Sequence, residues 1–193
     1  MLGLKLPTDP RWVNLAEKSL EEILTDHAYC EQKAATMCIS LIQQYHEKIE
    51  MIEALAPIVT EEWSHFRLVL KELKNRNLKL GFQRKDIYVN QLLKFQKKGG
   101  SREDQLVEKL LVCALIEARS CERFRLLSLH ISEDKLKDFY HGFMISEAGH
   151  YRLFLDLAKT YGDPAYVNAR WKAYLEYEAS IMEKLTPRGD RIH

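Results

Sequence analysis

Residues 54–73 read ALAPIVTEEWSHFRLVLKEL, and residues 140–158 read YHGFMISEAGHYRLFLDLA. Both carry apolar residues at helical spacing. In the first they are Leu55, Ile58, Val59, Phe66, Val69 and Leu73. In the second they are Tyr140, Phe143, Met144, Tyr151, Phe154 and Ala158. Both stripes are interrupted by the same pattern, Glu-x-x-His, at Glu62 and His65 and again at Glu147 and His150. Side chains three apart share one face of an α-helix, so each segment is expected to turn a carboxylate and an imidazole toward the core.

Working outward, each segment has a helical neighbour with one inward acid. Leu24, Ala28, Ala34, Ala35, Cys38, Leu41 and Ile42 form a stripe around Glu31, and Leu110, Cys113, Ala114, Cys121 and Phe124 form one around Glu117. Glu31 precedes Glu62 by 31 residues and Glu117 precedes Glu147 by 30. With turns near residues 48 and 132, each pair sits at matching distances from its bend and therefore at one height of an antiparallel hairpin. The chain reads as a twofold internal repeat offset by about 86 residues, with one Glu and one Glu-x-x-His in each half.

Four buried carboxylates without compensation would cost several kcal/mol per ion. No Lys or Arg recurs on these inward positions, whereas two divalent cations would balance four acids. The pattern therefore predicts a dimetal centre held by Glu31, Glu62, His65, Glu117, Glu147 and His150. Mixed oxygen and nitrogen donors suit iron or manganese, and the pattern's resemblance to dimetal-carboxylate bundles that react with O₂ favours iron. A bundle with buried Glu–His hydrogen bonds and no metal is the bland alternative.

The expected fold is all-α, a four-helix bundle with additional N-terminal, crossover and C-terminal helices, and its ligand pattern resembles that of ferritin-like bundles. The whole chain, 1–193, reads as one domain with core helices at about 26–45, 50–76, 102–129 and 133–160. A short helix is expected over about 10–25, with Asp9 capping it and Pro10 in its first turn. Pro57 should kink the second core helix or mark a bent first turn. A shorter helix at about 86–97 precedes the breaker Gly99-Gly100-Ser101, Ser132 or Asp134 should cap the fourth core helix, and a final helix reaches about Leu185.

Composition agrees with a folded domain. The 193 residues are 46% hydrophobic and 30% charged with 8 Gly and 5 Pro, which excludes disordered and collagen-like classes. No apolar run reaches the ~20 residues that cross a bilayer, and the first residues lack a secretory pattern, so a cytoplasmic location and four reduced cysteines are expected. The charge is uneven. Residues 71–102 hold ten basic groups against two acidic ones, +8, leaving −7 for the rest of a chain of net charge +1. Such a segment suits a polyanion, and Lys85, Lys94, Lys97, Lys98 and Arg102 are its candidate RNA contacts, with Phe82, Tyr88 and Phe95 able either to stack on bases or to pack the link.

Other polar residues read as structural. Glu122 is flanked by Arg119 and Arg125 at i−3 and i+3 and is expected in an ion pair, Asp138-x-x-His141 faces away from the site, and His27, His46, His130 and His193 show no ligand spacing. Cys30, Cys38, Cys113 and Cys121 are read as small core residues.

The ligand pattern resembles the ferritin-like dimetal-carboxylate proteins. The segments 26–35 (DHAYCEQKAA), 61–66 (EEWSHF), 116–124 (IEARSCERF) and 146–151 (SEAGHY) resemble, within that group, the bacterial tRNA hydroxylases acting on 2-methylthio-N6-isopentenyladenosine. The resemblance runs from about Leu6 to the C-terminal helix. It implies an O₂-dependent di-iron monooxygenase that hydroxylates the isopentenyl group next to the anticodon. It also implies two iron ions, O₂ as co-substrate, an external electron donor, a tRNA anticodon loop as partner and a monomer or weak oligomer. One departure is Gly149, where many relatives are expected to carry Arg. Within a helix it implies that the site either tolerates glycine there or needs a close backbone approach. A rubrerythrin-like peroxidase or iron oxidase acting without RNA is the main competing expectation, and a metal-free helical interaction domain the second.

Overall fold

The computed structural model describes residues 2–193, and its regular structure is helical. Helices α1 (Trp12–Lys18), α2 (Leu20–Gln44), α3 (Ile49–Asn75), α4 (Ile87–Phe95), α5 (Arg102–His130), α6 (Asp134–Tyr161) and α7 (Pro164–Lys184) follow in chain order. No strand occurs among the described residues. None of these helices is long and apolar enough to cross a membrane.

The chain divides into two units, one built on α2 and α3 and the other on α4 to α7. The first comprises residues 14–85 with the C-terminal stretch 188–192. Helices α2 and α3 pack against each other as a hairpin, burying Leu24, Ala28, Ala35, Cys38 and Leu41 from one and Met51, Leu55, Val69 and Leu73 from the other. The break before α2 falls at Ser19, six residues earlier than the expected joint at 25/26. No Gly or Pro marks it. Its neighbour is remote in sequence: a Cβ on Gly189 would lie 2.1 Å from the Leu15 carbonyl oxygen, so the C-terminal stretch passes directly over this joint. Pro57 lies within α3 and does not divide it. The residue is exposed, so the carbonyl it frees one turn earlier, at Glu53, meets water.

The second unit comprises 86–187, the N-terminal residues up to Val13, and His193. Helices α5 and α6 pack closely, with α4 and α7 against α5 and each other. As a result every residue from Leu110 to Phe124 is buried, on all sides of α5. Asp86 caps α4 by accepting from the Val89 N–H at 2.9 Å. Gly99 and Gly100 both have φ +84°, a conformation other residues rarely adopt, and they deliver Ser101 into a capping box with Asp104. Asp163 and Pro164 start α7. Two caps differ from expectation. Glu133, rather than Ser132 or Asp134, precedes α6, without a side-chain hydrogen bond. At the N-terminus Asp9 engages Arg11, and the first helix begins two residues beyond Pro10.

Candidate metal centre

In the α2–α3 hairpin, the sequence brings Glu31, Glu62 and His65 together. Glu31 is 3% exposed and Glu62 1%. His65 Nδ1 stands 3.2 Å from Glu31 Oε2 and 3.6 Å from Glu62 Oε2, so one imidazole nitrogen faces both carboxylates. The helical repeat explains the arrangement: Glu62 and His65 share a face of α3, and α2 runs beside it with Glu31 at the same height. A second imidazole joins them. His27 is fully buried one turn before Glu31, with Nε2 2.7 Å from Glu31 Oε1. Reading the sequence for Glu-x-x-His passed over it. The signal it carries is the i, i+4 spacing of His27-x-x-x-Glu31.

In the α5–α6 pair, Glu117, Glu147 and His150 are all buried, and His150 Nδ1 lies 3.4 Å from Glu147 Oε2. Cys121, one turn after Glu117, reports the local field. Burial pushes its thiol up to about 12, and the charges of Glu147, Glu117 and Glu122 push in the same direction. It is held as a thiol, donating to the Met144 carbonyl at 3.2 Å. All four cysteines are free.

Behind the ligand face of α5 lies a network that the sequence did not announce. Arg119, with no exposure, donates through Nε and Nη2 to Glu178 Oε1 at 2.9 and 2.6 Å and through Nη1 to Glu122 Oε2 at 2.9 Å. Glu122 also accepts from the backbone N–H and hydroxyl of Thr8 at 2.8 and 2.7 Å. The expected pairing with Arg119 is present; Arg125, the other expected partner, is exposed and outside the network. Arg123 lies over the Trp12 ring at 4.8 Å, and burial beside Arg119 lowers its guanidinium to about 10. His193 also belongs here, 2.8 Å from the Ser120 hydroxyl and stacked on Tyr88. A second buried cluster joins Glu108 to Arg170 Nη2 and the Tyr174 hydroxyl, both at 2.7 Å.

Each half therefore offers two buried carboxylates and an imidazole from neighbouring helices, and α2–α3 adds His27 beside Glu31. That donor set fits a divalent iron or manganese ion, which would offset the charge that burial makes costly. Asp138 and His141 are exposed, as their position predicts. Gly149 decides between its two alternatives. It is exposed, and a Cβ there would meet nothing within 4 Å, so no close approach requires glycine.

The predicted RNA contacts Lys85, Lys94, Lys97, Lys98 and Arg102 are all exposed. Lys97 and Lys98 border a cleft of 310 Å³ before α5, but Asp104 and Glu108 line it too, and the Lys97 ammonium sits over the Tyr166 ring at 4.9 Å. Of the interleaved aromatics only Phe82 is open, at 94% exposure. Tyr88 is buried and Phe95 stacks on Tyr177 with ring centres 4.2 Å apart.

Comparison with known proteins gives these features a context. The family profile for tRNA-(MS2IO6A)-hydroxylase (MiaE) matches residues 2–193. A protein of Pseudomonas putida called tRNA 2-(methylsulfanyl)-N(6)-isopentenyladenosine(37) hydroxylase is 39% identical over 162 residues, 84% of this chain and 78% of its own length. A protein of the same description from Salmonella typhimurium is 28% identical over 240 residues, covering 98% and 87%. Among solved structures, a Synechococcus protein with aldehyde deformylating oxygenase activity superposes with a TM-score of 0.92 at 32% identity, covering 98% of this chain and 94% of that one. The fold is thus the ferritin-like one expected from the duplicated ligand pattern.

Proposed function

We infer the function of this chain from its family, for it belongs to the tRNA-(MS2IO6A)-hydroxylase (MiaE) family. From that membership we infer that it is a tRNA hydroxylase, an oxygenase that converts the isopentenyl group of 2-methylthio-N6-isopentenyladenosine, beside the anticodon, to its hydroxylated form. The observation that carries the reading is the pair of buried Glu plus Glu-x-x-His sets on helices α2, α3, α5 and α6. We propose that the whole chain acts as one domain and that Glu31, Glu62, His65, Glu117, Glu147 and His150 together hold two iron ions. When bound, iron would supply the O₂-derived oxidising power needed to hydroxylate a C–H bond of the prenyl methyl group. The balance is C–H plus O₂, two electrons and two protons to C–OH and water, so an external electron donor is required.

The protein's own groups have separable tasks. Glu31 and Glu62 present carboxylate oxygens toward His65 Nδ1, and His27 fixes the orientation of Glu31 from behind. On α5, Arg119 and Glu122 tie the back of the helix to Thr8 and Glu178, so that Glu117 projects from a rigid support. The apolar side chains around these sets exclude water from the reacting region. Lys85, Lys94, Lys97, Lys98 and Arg102 serve as contacts to the anticodon stem-loop, and a tRNA substrate places the work in the cytoplasm. A monomer satisfies this scheme.

Nucleoside mass spectrometry of tRNA from a strain lacking the gene, beside its parent, tests the reading. Loss of the hydroxylated prenyl-adenosine with accumulation of its precursor is expected. An unchanged profile would refute it and return the site to a rubrerythrin-like peroxidase or iron oxidase acting without RNA. A protein that binds no metal would be a helical interaction domain.

A further inference from the structure

Helix α3 has two faces with different chemistry. Its buried stripe carries Glu62 and His65. Its outer stripe carries Trp63, Arg67, Lys71 and Lys74, all exposed, with Trp63 48% open. At 100° per residue these four side chains fall within an arc of about 80°, and at 1.5 Å per residue they extend over about 16 Å. Trp63 is braced by Phe66, with ring centres 5.0 Å apart and planes 32° from each other. Arg67, Lys71 and Lys74 form no ion pair among the described residues. The one acid in this part of the helix, Glu72, lies on the far side and is engaged by Arg76 at 2.6 Å.

A supported aromatic face beside a row of unneutralised cations is the combination that binds single-stranded nucleic acid. The ring stacks on a base of any kind, and the cations follow the phosphates. The cleft beside Lys97 and Lys98 is less favourable, because Asp104 and Glu108 lie within it. Resting on the tRNA reading above, we propose that the outer face of α3 is a docking surface for the single-stranded anticodon loop, with Trp63 stacking on a loop base and Arg67, Lys71 and Lys74 holding the adjoining phosphates. The indole decides the occupant. An acidic redox protein would also favour the lysines but has no use for a braced, half-open indole among them.

The test titrates the full chain, with its iron content measured, against a labelled anticodon stem-loop RNA bearing the prenylated adenosine. Trp63→Ala should weaken binding about tenfold, within the roughly 5- to 150-fold range of a lost base stack, and Trp63→Phe should restore most of it. Combined Arg67→Glu, Lys71→Glu and Lys74→Glu should reduce the slope of log affinity against log salt by about 2, the value for three phosphates of a single strand. Circular dichroism checks that each variant is folded. If unaltered protein binds the RNA and these variants bind it equally well, the surface is wrongly assigned while the hydroxylase reading stands. If the variants keep RNA affinity but lose reduction by an acidic redox protein, the face docks that protein and the proposal is overturned. If unaltered protein binds no RNA, the functional reading fails first and this surface with it.

Discussion

The two ligand-bearing helix pairs carry the same three residues, two Glu and one His, at nearly the same separation, yet they are supported differently. In α2–α3 the ligands are held by one another: His65 faces Glu31 and Glu62, and His27 adds a second imidazole to Glu31. The outer face of α3 remains open to solvent. In α5–α6 the ligand helix is enclosed on every side, and its support comes from buried hydrogen bonds to the N-terminal segment and buried ion pairs to α7. One half is thus positioned by its own side chains and left free outside, where a partner can reach it. The other is a fixed frame whose polar back is engaged by the protein itself through Thr8 and Glu178. Duplication of a ligand pattern does not require duplication of its scaffold.

This difference can be broken most severely at Arg119. Arg119→Ala removes the cation from a buried cluster and strands Glu178 and Glu122, so a loss of about 3–5 kcal/mol in urea unfolding is expected. A loss below 1 kcal/mol would show that the frame is not what holds α5. The corresponding perturbation in the other half is His27→Ala. Because His27 acts on Glu31, it should lower iron affinity about 10- to 100-fold, measured by chelator competition, while leaving the far-ultraviolet dichroism of the protein unchanged.

Glu108 sharpens the comparison through pH. Burial raises its carboxyl, but hydrogen bonds from Arg170, Tyr174 and the Lys97 N–H, with the Arg170 charge, outweigh that and hold it below the ordinary value. A carboxyl depressed in the folded state contributes stability above its unfolded pKa, about 4.3, and loses that contribution as pH falls through the folded one. The stability difference between the unaltered protein and Glu108→Gln should therefore be largest above about pH 5 and shrink at lower pH. A difference independent of pH would contradict the pairing. The smallest effect is at Gly149. With open space at its Cβ and a helical backbone, Gly149→Ala should stabilise by up to about 1 kcal/mol in thermal unfolding.

What the sequence could reveal follows from the same contrast. Glu62 with His65 and Glu147 with His150 were legible because their partner is one helical turn away, and the hairpin arithmetic added Glu31 and Glu117. His27 was also one turn from its partner, but outside the pattern being sought. The frame around α5 was not legible. Periodicity displayed one apolar stripe there, whereas the helix is buried all round, because Arg119 finds Glu178 59 residues away and Glu122 finds Thr8 114 residues away. Polar residues on the back of such a helix look solvated until the distant elements that cover them are known. The early start of α2 has the same origin, since the segment over its joint is the chain's own C-terminal stretch.

Iron stoichiometry tests the account most directly. The full chain reconstituted with ferrous iron and freed of excess should hold about two iron per chain, and Glu31→Ala and Glu117→Ala, one from each half, should each lower that number. Full occupancy in both variants, or no iron in the unaltered protein, would contradict the claim that the two sets of acids and imidazoles exist to hold metal.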